Sequence, residues 1–103
     1  METMATKLLM RWDIRSEREA EYSDFVANEF IPRINKLGLV EIQAWYTVFG
    51  DCEQILISGV TQTIDQMTYI LNSDEWDRLH QRLDELVEDF KTKVVPANAG
   101  FQL

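Results

Sequence analysis

One cysteine, one histidine, two prolines and four glycines are all that this 103-residue chain holds of the residues that mark special chemistry or special backbone. A single cysteine excludes an intrachain disulfide framework. Asp51 and Glu53 beside Cys52 raise its thiol pKa, which disfavours a nucleophile there. With no second histidine, a protein-only metal site is not expected. The glycines are isolated, so there is no phosphate loop or dinucleotide fingerprint. No apolar run approaches the ~20 residues that span a bilayer, and METMATK lacks the apolar core of a signal peptide. Lysine and arginine form no cluster along the sequence. With 18 acidic against 10 basic residues the net charge is −8, which argues against nucleic acid or an anionic membrane as partner. A reducing, cytoplasmic setting is the expectation.

What is present describes a small globular protein. Apolar residues at 46% and charged residues at 27% fit an ordinary folded chain rather than a disordered one. Residues 1–103 are expected to form one domain, with a loose N-terminus at 1–5 and an unassigned tail at 97–103.

KLLMRWDIR (7–15) alternates with the period of a strand, with Leu8, Met10, Trp12 and Ile14 on one side. SERE (16–19) reads as a capping box with Ser16 as the cap. A helix follows through Tyr22, Phe25, Phe30 and Ile34, stops at Gly38, and should kink at Pro32. LVEIQAWYTVF (39–49) and EQILISGVT (53–61) form a hairpin around Gly50-Asp51. If Phe49 faces Cys52, then Trp45 faces Leu56 and Gln43 faces Ser58. Val40, Ile42, Ala44 and Tyr46 then share an apolar face with Ile55 and Ile57. TIDQ (63–66) opens a short helix, and Ser73 caps another whose buried stripe is Trp76, Leu79, Leu83, Leu86, Val87 and Phe90. KTKVV (91–95) reads as the last strand.

The order β, α, β, β, broken α, β predicts an α+β, ferredoxin-like split βαβ fold. Its four-stranded antiparallel sheet carries helices on one face. The other face would expose Trp45, Phe49, Leu56 and Val60, an apolar patch that a second copy of the sheet can cover.

The element order, the kinked first helix with FIPRINKLG and the broken second helical region resemble the dimeric α+β barrel superfamily. That group includes antibiotic-biosynthesis-type monooxygenases, haem-degrading monooxygenases and NIPSNAP-like proteins. The resemblance implies two chains packed sheet to sheet. LNSDEWDRLH (71–80) is similar to a stretch of the haem-degrading branch whose final histidine ligates haem iron, which implies that role for His80. That branch also has an asparagine on the first strand, absent here, and a tryptophan where this chain has Ile70.

Read from the residues alone, His80 is a half-buried helical side chain one turn after Trp76. Asp84, one turn further on, can accept a hydrogen bond from its ring. A second candidate is the polar group Arg11, Asp13, Glu41, Gln43 and Ser58 around Trp45. It reads either as a small pocket inside the barrel or as an interface network in which Arg11 pairs with Asp13 or Glu41. Trp12, Tyr46 and His80 are the candidates on the helix side. The expected function is a small homodimer that binds an apolar or aromatic molecule. The alternatives are a monooxygenase-like enzyme acting on an aromatic substrate or haem, and a purely structural module.

Overall fold

The computed structural model describes residues 5–49 and 52–98. Strand β1 (Thr6–Ile14) leads into a continuous helical rod made of α1 (Glu19–Phe25), a π-helical turn (Val26–Phe30) and α2 (Ile31–Leu37). Strands β2 (Val40–Phe49) and β3 (Cys52–Thr61) follow, then α3 (Ile64–Leu71), α4 (Asp74–Asp84) and β4 (Val87–Pro96). The strands form one antiparallel sheet in the order β2-β3-β1-β4, as the ferredoxin-like expectation requires. The core lies between one face of this sheet and the helices. Leu8, Met10 and Trp12 of β1 and Ile57 of β3 bury against Phe30, Ile34, Met67, Ile70, Trp76 and Leu83.

The hairpin has the expected register, with Trp45 opposite Leu56 and Gln43 opposite Ser58. The Gly50-Asp51 turn lies outside the described residues, as do the side chains of Phe49 and Cys52 and most of the tail at 97–103. Thr63 and Ser73 cap their helices, accepting from the amides of Gln66 and Trp76 at 3.1 Å each. Gly38 ends the rod at φ 125°, where the Leu39 N–H reaches back to the Ile34 carbonyl at 3.1 Å.

Four local expectations need correction or refinement. Ser16 caps nothing: Glu17 takes a left-handed φ of 68°, and the N-cap moves to Arg18, whose guanidinium holds Glu21 at 2.9 Å. The irregularity expected at Pro32 falls immediately before it, and the rod runs on without a break. The backbone widens into the π-helical turn immediately before Ile31-Pro32, one of the ways a helix absorbs a missing donor and a crowding ring.

The third correction is to the second helical region, which stops at Asp84, so Val87 and Phe90 belong to β4. In β4, Lys91 stands opposite Arg11 but Glu88 opposite Asp13. Three steps against two make a bulge, with Asp89 at φ 56°. The extra residue lets Val87 and Phe90 both meet the core, although they are an odd number of residues apart. The fourth is a matching bulge in β2, where Glu41 takes a φ of 51°. Val40 therefore stands opposite Val60 on the outer face, 44% exposed, and is not part of the inner apolar row.

Candidate functional site

The inner face of the sheet carries a closed circuit of five rings drawn from four elements. Trp12 on β1 meets Phe30 of the π-helical turn edge-on at 6.0 Å, and Phe30 meets Trp76 of α4 at 6.2 Å. One helical turn on, His80 lies parallel to Trp76 at 6.1 Å with an interplanar angle of 2°. His80 then contacts Phe90 at 4.5 Å, and Phe90 stacks back on Trp12 at 5.8 Å. The two backbone irregularities supply two members: the π-helical turn ends on Phe30, and the β4 bulge turns Phe90 inward. Such irregularities recur beside functional sites because they aim a side chain that regular structure would place elsewhere.

Two polar groups sit in this apolar setting. The Trp12 Nε1–H donates to the Tyr22 hydroxyl at 2.9 Å. Burial pushes the Tyr22 pKa up to about 12, with the Trp12 hydrogen bond acting in the opposite direction. Folded Tyr22 thus keeps its proton at pH values where the unfolded chain loses it. Its contribution to stability is full below the ordinary tyrosine value of about 10 and declines as the pH rises from there toward 12. Alkaline unfolding curves should show that decline, and Tyr22→Phe should remove it.

The second polar group is His80. Its Nε2 is buried and, among the described residues, has no hydrogen-bond partner. The hydrogen bond expected with Asp84 is therefore not made at this nitrogen. The Asp84 backbone carbonyl instead accepts from Arg15 at 3.4 Å.

The remaining candidates do not join this circuit. Arg11, Asp13, Gln43, Trp45 and Ser58 lie on the outer face, with Arg11 opposite Leu56 and Asp13 opposite Glu88. The ion pair expected between Arg11 and Asp13 or Glu41 is absent among the described residues. Gln43, Ser58 and Glu41 line a shallow depression of about 210 Å³ together with Lys7 and Val60. Tyr46 lies in the same row as Trp12, beyond Ile55, but is 57% exposed and outside the circuit. Sequence reasoning did not single out Tyr22, Phe30 and Phe90 as site residues; Pro32 was the signal that pointed toward the π-helical turn. It also missed a cationic strip. Arg11 of β1 stands opposite Lys91 of β4 on the outer face, with Lys93 opposite Leu9 and Lys7 opposite Val95 along the same two strands, although they are far apart in sequence.

The pattern of the haem-degrading branch is not completed around His80, whose Nε2 is buried in the described structure. Ile70, at the position of that branch's tryptophan, is itself core at 1% exposure.

No family model and no curated protein matches the sequence. Solved structures do match. A NIPSNAP family protein from Agrobacterium tumefaciens superposes with a TM-score of 0.68 at 16% identity, covering 95% of this chain and 90% of its own. The cofactor-independent oxygenase SnoaB from Streptomyces nogalater gives 0.74 at 13% identity, covering 95% and 97%. A hydroxynitrile lyase from Passiflora edulis gives 0.79 at 8% identity, covering 98% and 100%. Such low identities carry the fold and not the reaction. The chain has the ferredoxin-like α+β fold shared by NIPSNAP-family and cofactor-independent oxygenase structures.

Proposed function

We propose that this protein binds a small aromatic molecule at the His80 corner of the ring circuit. The ligand's ring takes the place beside His80 now held by Phe90, and its hydroxyl or carbonyl meets Nε2. The observation that carries this is the unpartnered, buried Nε2. Leaving such a group unsatisfied costs about 1–3 kcal/mol, and an apolar replacement of similar shape avoids the penalty. Phe90 is half-buried on a bulged edge strand, so it is the member of the circuit best placed to swing aside.

His80→Phe separates binding from packing. The variant is expected to be more stable by about 1 kcal/mol, since it removes the orphaned nitrogen and keeps a ring against Trp76. It should also bind 2-naphthol at least tenfold more weakly, with naphthalene binding unchanged. Calorimetry with both probes checks this. A less stable variant that binds 2-naphthol normally sinks the reading.

A second reading is favoured by the likeness to a cofactor-independent oxygenase. A histidine nitrogen beside an aromatic slot can take a phenolic proton as a general base. Oxygen uptake with polyphenols, lost in His80→Phe, tests it.

The outer face supports self-association. Val40 and Trp45 are 44% and 42% exposed beside Val60 and Leu56, an apolar patch that a second sheet covers in a two-fold dimer. Trp45→Glu should shift the sedimentation of the protein from dimer to monomer without unfolding it.

A further inference from the structure

One row of side chains on the outer face runs from aromatic to cationic. Trp45, Leu56, Arg11 and Lys91 stand opposite one another across β2, β3, β1 and β4 in turn. At about 4.8 Å per strand the row spans about 14 Å. Lys93, two residues along β4 and opposite Leu9, flanks its cationic end.

Among the described residues the charges in this row have no carboxylate partner. Arg11 and Lys91 are like charges placed directly opposite, a destabilising cross-strand pair. The arginines at 15, 18, 33, 78 and 82 each lie within 3.8 Å of a carboxylate. Arg11, Lys91 and Lys93 have no ion pair among the described residues, in a chain of net charge −8. Asp13 and Glu88 occupy the next cross-strand pair, and the Glu88 carboxylate is engaged by Arg15 at 3.5 Å. Unpaired cations at one end and apolar surface at the other match an anion with an apolar body.

We infer that this face binds a soluble amphipathic carboxylate. Its head sits among Arg11, Lys91 and Lys93, and its apolar body lies over Leu56 toward Trp45. Arg11 can present two parallel N–H donors to a carboxylate, and the lysines add charge. At a screening length of about 8 Å the chain's distant carboxylates are damped, so the local balance is set by these three cations with Asp13 and Glu88 beside them. The chain's net negative charge works against docking on an anionic bilayer, so the ligand is a free molecule. The inference does not involve His80. A second sheet covering this face would strip water from the cations, and burying them unpaired is costly. A ligand lying over Leu56 toward Trp45 also occupies surface that a second sheet would cover, so the two compete there.

The test is calorimetric titration of the intact chain with dodecanoate and with dodecanol, beside sedimentation of the same samples. Dodecanoate is expected to bind saturably, and more tightly than dodecanol by at least tenfold. The triple variant Arg11→Gln, Lys91→Gln, Lys93→Gln should lose at least tenfold, as should the wild type at about 1 M salt, where screening shortens to about 3 Å. A thermal melt shows whether the triple variant folds, and Lys93→Gln alone, expected to lose a few-fold, serves if it does not. Equal binding of dodecanol, or unchanged binding by the folded variants, overturns the inference. So does binding only to phosphatidylserine vesicles. Loss of dodecanoate binding in His80→Phe also overturns it, because the ligand would then occupy the helix side. A monomer in sedimentation that still binds dodecanoate refutes the dimer and leaves this inference standing.

Discussion

Trp12→Ala should cost about 3–5 kcal/mol, a large share of the 5–15 kcal/mol that holds a domain of this size together. Three rings rest on that indole: Tyr22 at 6.4 Å, Phe30 at 6.0 Å and Phe90 at 5.8 Å. Its Nε1–H is also the hydrogen-bond partner of the buried Tyr22 hydroxyl. Truncation thus opens a cavity at the centre of the circuit and strands a buried oxygen. Trp12→Phe tells the two losses apart. It keeps most of the ring contact but leaves Tyr22 unpaired, so about 1–3 kcal/mol should go. Urea denaturation of the two variants measures both, and equal losses would show that packing contributes little beyond the hydrogen bond.

Gly59→Ala is the second large effect, at about 1–3 kcal/mol. Gly59 stands on β3 opposite Leu8, and a Cβ added there would lie 2.8 Å from Leu39 Cδ2 and 3.3 Å from Leu39 Cβ. The far methyl could rotate away, but the Cβ cannot move without its backbone. That backbone is tied down, because the Leu39 N–H bonds the Ile34 carbonyl and the Leu39 carbonyl accepts from Asn35 at 2.9 Å. Leu39 is fully buried, so little free space surrounds it. Combining Gly59→Ala with Leu39→Ala should cost less than the sum of the two single changes, since the second removes the Cδ2 at 2.8 Å and leaves only the Cβ contact. Strict additivity in a double-mutant cycle would contradict this contact.

The sequence shows the architecture where side-chain period and backbone period agree. β1 pairs with β3 without interruption along its first seven residues, and the β2–β3 register follows from one assumed pair. It misleads where one backbone residue is inserted. Val87 and Phe90 continue the three- and four-residue spacing of Trp76, Leu79 and Leu83, so they read as helix. In the folded chain a bulge at Asp89 brings two strand residues of opposite parity to the same side. Glu41 does the reverse to Val40, moving it outward. Neither position is a glycine, so nothing in the composition signals a left-handed backbone there. The site was legible in part for the same reason. Trp12 and His80 could be named, but Phe90 could reach them only through the bulge, and Phe30 only through the π-helical turn.

The two bulges also decide how this protein can be joined to others. β2 and β4 are the borders of the sheet, and each is interrupted by an acidic residue held left-handed, at φ 51° and 56°. A strand of another molecule approaching either border finds a broken ladder of donors and acceptors, so it cannot zip on along its length. Each border residue accepts a conformation that costs on the order of 1 kcal/mol to keep that route shut. Lateral polymerisation is hindered at both borders, so recognition by another molecule falls to the faces of the sheet rather than to its edges.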